Sequence, residues 1–128
     1  MAITVTISPG ELLDRLTILE IKLERMKDQA KLKNVRHEHD LTAKALAAAV
    51  PTSPELSRLR GELKAVNEEL WVIEDDIRDH ERARNFDARF IELARAVYHT
   101  NDRRAAVKRE INELLKSALV EEKSYAAY

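Results

Sequence analysis

Leu56, Leu59, Leu63, Val66, Leu70, Ile73 and Ile77 fall at alternating steps of three and four residues. That spacing brings all of them to one side of an α-helix. A chain that keeps such a stripe over residues 56–77 hides it from water by laying helices side by side. Leu12, Leu16, Leu19, Leu23 and Met26 repeat the spacing, while Ile18 and Ile21 fall off that line, Ile21 nearly opposite it. A helix that is apolar on more than one side is buried by more than one neighbour. The first helix is therefore expected to be central, or shared with a second subunit.

The composition agrees. Gly (2) and Pro (3) are scarce, and 35% of residues are charged against 45% apolar, the balance of long helices and coiled coils. The 22 basic and 23 acidic residues are well mixed and leave a net charge of −1, so no nucleic-acid partner is expected. The chain has no cysteine, which removes disulfides, thiolate nucleophiles and cysteine-based zinc sites. The first residues lack the basic and apolar regions of a signal peptide. No apolar stretch is long enough to span a membrane. These features give the expectation of one cytoplasmic domain of 128 residues with no membrane partner.

Ile3, Val5 and Ile7 alternate with Thr4 and Thr6, the pattern of a short strand over residues 3–7. Its partner is expected in the tail near Ala118–Val120 or in the same strand of a second copy. Ser8-Pro9-Gly10-Glu11 then combines an N-cap, a first-turn proline and a glutamate at the third position, a strong helix start. Residues 9–50 form one helix or two, with Asp28 the candidate break. Pro51-Thr-Ser-Pro54 ends that segment and repeats the start signal. A helix is expected over 54–84, another over 87–118, and a tail over 119–128.

The last helix carries an anomaly, Tyr98-His-Thr-Asn-Asp-Arg-Arg104. At 100° per residue, the apolar face through Phe90, Ala94 and Val97 is offset by roughly 80° from that through Val107, Ile111, Leu114 and Ala118. The preferred reading is a shift or kink near residue 100, with Thr100, Asn101 and Asp102 bonding to freed backbone. The sharper reading is a new helix start that binds an anion with help from Arg103, Arg104 and Lys108. Arg in a first turn opposes the helix dipole, so an anion or a buried carboxylate is expected beside it.

A candidate site follows. Lys64, Asn67, Trp71, Glu74, Asp75 and Arg78 lie along one flank of the third helix. Facing Asn101, Asp102, Arg104 and Lys108 across the helices, they would form a polar pocket roofed by Trp71, with Glu74 or Asp75 opposite Arg104 or Lys108. The simpler reading is a salt-bridged surface on which Trp71 covers the edge of the core.

Other chemistries fit less well. Helical pyrophosphohydrolases that hold Mg²⁺ through carboxylates use Glu-Glu-x-x-Glu followed later by Glu-x-x-Asp. Here Glu68 and Glu69 are followed by Glu74, a wider spacing, and Glu11-Leu-Leu-Asp14 precedes them. A helical chorismate mutase would use cations such as Arg15, Lys22 and Arg25, but its closing Ser and Gln pattern is absent. His37 and His39 point apart on a helix. Asp76 and His80 are one turn apart, too few for a metal site, so no metal or cofactor is expected. Gly10 and Gly61 are isolated, which excludes a glycine-rich phosphate loop.

Four segments carry a family resemblance: "ISPGELLDRLTILEIKLERM", "LKAVNEELWVIEDDIR", "FIELARAVYHTNDRRAAVKREIN" and "ALVEEKSY". In order and spacing the chain resembles an uncharacterised family of short bacterial helical proteins, a domain of unknown function. The resemblance implies no activity. Its segments include polar residues that a plain coiled coil would not need: Asp14, Thr17, Glu20, Lys22, Asn67, Trp71, Glu74, Asp75, Asn101, Asp102, Arg104, Lys108, Asn112, Glu122, Lys123 and Tyr125.

The expected fold is all-α: an antiparallel bundle of three to four long helices with coiled-coil-like seams and a short N-terminal strand, paired as a homodimer. Two functions stand side by side. One is a non-catalytic interaction or scaffold protein that offers a helical face to a protein partner. The other is a binder of, or enzyme acting on, a small anionic ligand (nucleotide, sugar phosphate or dicarboxylate) between the Trp71 flank and Asn101–Lys108.

Overall fold

A computed structural model describes all residues, Met1 to Tyr128. The chain is all-helical, with four helices: α1 (Pro9–Arg25), α2 (Gln29–Ala49), α3 (Pro54–Arg82) and α4 (Ala88–Leu114). Each begins on a short polar side chain that accepts a hydrogen bond from the backbone N–H three residues on. Ser8 accepts from Glu11, Asp28 from Lys31, Ser53 from Leu56 and Asp87 from Phe90, all at 3.1 Å. These caps satisfy donors that a helix start leaves free.

The stretch 9–50 is thus two helices. Met26 turns extended and Asp28 caps the second. α3 stops two residues before Arg84, which sits in the left-handed region at φ 55° and turns the chain towards α4. α4 stops at Leu114 rather than near residue 118, and Lys116 takes the same backbone conformation at φ 53°.

The strand expected over residues 3–7 does not form. Residues 1–7 have no secondary structure, and Ile3 and Val5 stand 83% and 69% exposed. Alternating β-branched residues make a strand only where a neighbour supplies hydrogen bonds, and nothing in the chain does so. The segment around Leu119 and Val120 is also unpaired and exposed.

α1 packs against all three other helices, α3 packs on α4, and α2 packs on α1. The core gathers where the start of α1, the end of α2, the start of α3 and the end of α4 meet. Leu13, Leu56, Leu59, Leu63 and Ile111 are buried there, with Leu46, Val50, Val107 and Leu115 packed around them. Ile21, off the first heptad line, is also buried, as a helix with several neighbours requires.

Burial then fades along the α3–α4 pair. Asn67 is the last buried residue of α3, and before Thr100 only Leu93 is buried on α4. α3 is about 43 Å long and α1 about 26 Å, at ~1.5 Å per residue. The far end of the α3–α4 pair projects as two helices alone, with Leu70, Ile73 and Ile77 only half-buried. No helix is long and apolar enough to cross a membrane.

Candidate functional site

α4 runs unbroken through Tyr98–Arg104, so there is no new helix start and no set of free N–H groups for an anion. What looks like a displaced apolar seam is one stripe whose middle is polar. Leu93, Thr100, Arg104 and Ile111 fall on a single line at helical spacing. Thr100 and Lys108 are buried along with Leu93 and Ile111.

The answering stripe lies on α1: Gly10, Asp14, Thr17 and Ile21, at steps of four, three and four, all buried. The Asp14 side chain is almost wholly enclosed, at 2% exposure. Its carboxylate is gripped by both arms of the Arg104 guanidinium. Arg104 Nε donates to Oδ1 at 2.9 Å, and Nη2 donates to Oδ2. A planar fork meeting a planar carboxylate in this way is the strongest common ion-pair geometry.

α3 closes the cluster. Asn67 Nδ2 donates to Asp14 Oδ1 at 2.9 Å and to Thr17 Oγ1 at 3.0 Å. The Thr17 hydroxyl donates back to the Asp14 carbonyl at 2.9 Å. The bond to Asp14 holds the Arg104 pKa above its ordinary value, against the opposing effect of burial. The buried carboxylate expected beside Arg104 is therefore Asp14 of α1, not Glu74 or Asp75 of α3.

A second cluster lies one turn further along the same two helices. Lys108 Nζ donates to Glu11 Oε2 at 2.8 Å and sits 3.1 Å from Glu121 Oε2. Burial alone would favour the neutral amine, but the two carboxylates outweigh it and raise the Lys108 pKa. Burial likewise pushes Glu11 up, and the bonds from Lys108 and Arg15 overcome it, so its pKa is lowered.

Beside these, the Gly10 N–H donates to Asn112 Oδ1 at 2.7 Å. A Cβ at Gly10 would lie 2.6 Å from the Lys108 carbonyl oxygen, so α1 and α4 touch backbone to backbone where no side chain fits.

The other expected site residues are dispersed. Lys64 reaches back to α1, to Glu24 at 2.5 Å and Glu20 at 3.6 Å, and Arg60 pairs with the same Glu20 at 2.5 Å. Glu74 pairs with Arg78 on the surface of α3, and Asp75 is exposed. Trp71 and Asn101 are half-buried, with no side-chain hydrogen bond between them and Arg104 or Lys108. Asp102 accepts from the Tyr128 hydroxyl. His80 Nδ1 lies 3.0 Å from the backbone carbonyl of Asp76, not its carboxylate. No three His, Asp or Glu side chains gather as a metal site would need.

Residues 115–128 run back along α4 as a strap. Glu121 meets Lys108, Glu122 lies 3.6 Å from Arg109, and the Tyr128 ring packs at 4.5 Å from His99 and 5.2 Å from Tyr98. A groove of about 730 Å³ lies between the strap and α4, lined by Lys108, Arg109 and Asn112 among others. A smaller, more apolar cleft of about 270 Å³ separates the end of α2 from α1 and α3.

The sequence singled out Asn67, Arg104 and Lys108 as a site and Asp14 and Thr17 only as polar residues of the family resemblance, without joining the two sets. The signal lay in α1, where Asp14 and Thr17 hold seam positions that a leucine would normally fill.

No curated protein and no solved structure matches the chain. A family match covers residues 3–128, and the chain belongs to the family of unknown function DUF6165.

Proposed function

We propose that the protein is a non-catalytic interaction or scaffold protein: an antiparallel helical bundle with coiled-coil-like seams that works as a homodimer in the cytoplasm. One observation carries this reading. The cations singled out for an anion, Arg103, Arg104 and Lys108, are already bound to carboxylates of the chain itself (Glu69, Asp14 and Glu11), and no buried side-chain nitrogen or oxygen lacks a partner. A site built to hold a small polar ligand leaves polar groups that converge on an open space. Here they converge on each other and lock α1, α3 and α4 together.

The molecular surface supports pairing. The chain exposes 9047 Å². A compact monomer of 14.7 kDa would expose about 6,900 Å² by the usual size scaling. The terminal arms contribute to the excess of roughly 2,100 Å², and the bare end of the α3–α4 pair contributes too.

The ligand reading keeps one observation in its favour: Lys108 shares itself between Glu11 and the strap's Glu121, next to an open groove. An anion could take the place of Glu121. A thermal-shift screen with nucleotides, sugar phosphates and dicarboxylates, with and without Mg²⁺, separates the two functions. A true ligand at a hundred times its Kd adds about 2.7 kcal/mol. No shift with any anion is the expected result. A reproducible shift that survives in Glu121→Gln chains but is lost in Arg109→Glu chains would overturn the scaffold reading.

A further inference from the structure

The stripe of α3 that faces α1 does not end where α1 ends. Arg60, Lys64 and Asn67 reach α1 side chains. The next residues at the same steps of four and three are Trp71, Glu74 and Arg78. α4 behaves alike. Asn112 and Lys108 bond to the first turn of α1, and the stripe continues backwards through Asn101, Tyr98, Ala94 and Ile91.

By helical geometry both continuations point to the side of the α3–α4 pair that α1 covers further down. There they are only partly covered. Ile91 is 57% exposed and Tyr98 42%, although Tyr98 already takes the ring of Tyr128 on one side. The chain's only tryptophan lies half-buried among them.

We propose that a second copy of this chain covers this face, the projecting ends of two α3–α4 pairs stacking about a two-fold axis into a four-helix bundle. This rests on the homodimer reading and adds where the dimer forms. Three features point to a copy of the chain as the occupant. The charges on the α3 stripe cancel within it, Glu74 against Arg78, so two copies meet without like-charge conflict. Aromatic and aliphatic anchors flanked by polar residues are the make-up of an interface core. A standard stable interface takes about 800 Å² from each partner, well within the surface excess. A two-fold pair is also the commonest way a face that complements itself is closed.

The test compares full-length chains by light scattering and by Trp71 emission over a dilution series. The wild type is expected at twice 14.7 kDa, with emission that shifts to the red as dilution parts the copies. Ile91→Glu should run at half that mass, with red emission at every concentration and unchanged helical circular dichroism. Leu41→Glu, on the exposed side of α2, serves as the control and should still pair. A wild-type monomer at high micromolar concentration overturns both the dimer and its location. A dimer that survives Ile91→Glu but fails with Leu41→Glu overturns the location alone and moves the interface to α2. Survival in both variants also overturns it.

Discussion

α1 and α2 are neighbours in sequence and in space, yet they are built on opposite terms. Seven of the seventeen residues of α1 are buried, against two of the twenty-one in α2, Leu32 and Val35. Apolar content does not explain this, since Leu41, Leu46 and several alanines are available on α2. The number of neighbours does. α1 touches three helices and α2 one. Only a helix enclosed on several sides can carry a carboxylate inside, because Asp14 needs Arg104 from α4 and Asn67 from α3 to offset its loss of water. The centre of this molecule therefore holds a polar seam beside its apolar core, and some apolar residues are left over at the periphery.

The largest expected effect probes that contrast at Asp14. Asp14→Ala leaves Arg104 and Asn67 without their shared acceptor, and breaking a buried pair in this way costs about 3 kcal/mol. Urea denaturation should show the loss as a lower midpoint. A change under about 1 kcal/mol would mean that water replaces the carboxylate and that the seam is no keystone.

A smaller effect comes from Glu11. Its pKa is lower in the folded chain than in the unfolded one, so the folded state gains from its charge above the unfolded value near 4.3. That gain disappears as pH falls through the folded value. Thermal melts between neutral pH and pH 3 should show a shallower acid limb for Glu11→Gln than for the wild type. The difference should stay under about 1 kcal/mol, because the carboxylate is partly solvated. Parallel acid limbs would assign the loss of stability to other carboxylates.

The smallest effect is expected on α2. Leu41 is 58% exposed, and Leu41→Ala should move the stability of the chain by no more than about 0.5 kcal/mol. A loss several times larger would show that α2 has a second neighbour besides α1, and would weaken the contrast with α1.

Much of the frame was legible in the residues. Ser8-Pro9 and Ser53-Pro54 announce helix starts because cap and proline act locally, and local chemistry survives any fold. The strand pattern at residues 3–7 misled because pairing is not local. The pattern names a face but no partner.

The Tyr98–Arg104 stretch misled for another reason. A reading that follows apolar residues loses the seam wherever the seam turns polar, so Thr100 and Arg104, which continue the line of Leu93, pass for an interruption. Arg104 could be recognised as in need of a carboxylate. That the carboxylate is Asp14, ninety residues earlier, follows only once α1 is laid against α4.

The empty place at Gly10 sets how those two helices are keyed. If α1 slid by one residue along α4, Pro9 or Glu11 would come to the contact and bring a Cβ against the Lys108 carbonyl. The same slip would rotate Asp14 by about 100° and carry it about 1.5 Å along the axis, away from the fork of Arg104. A steric bolt and an electrostatic latch, one turn apart, thus select the same alignment, and neither leaves a competing one for the helices to settle into.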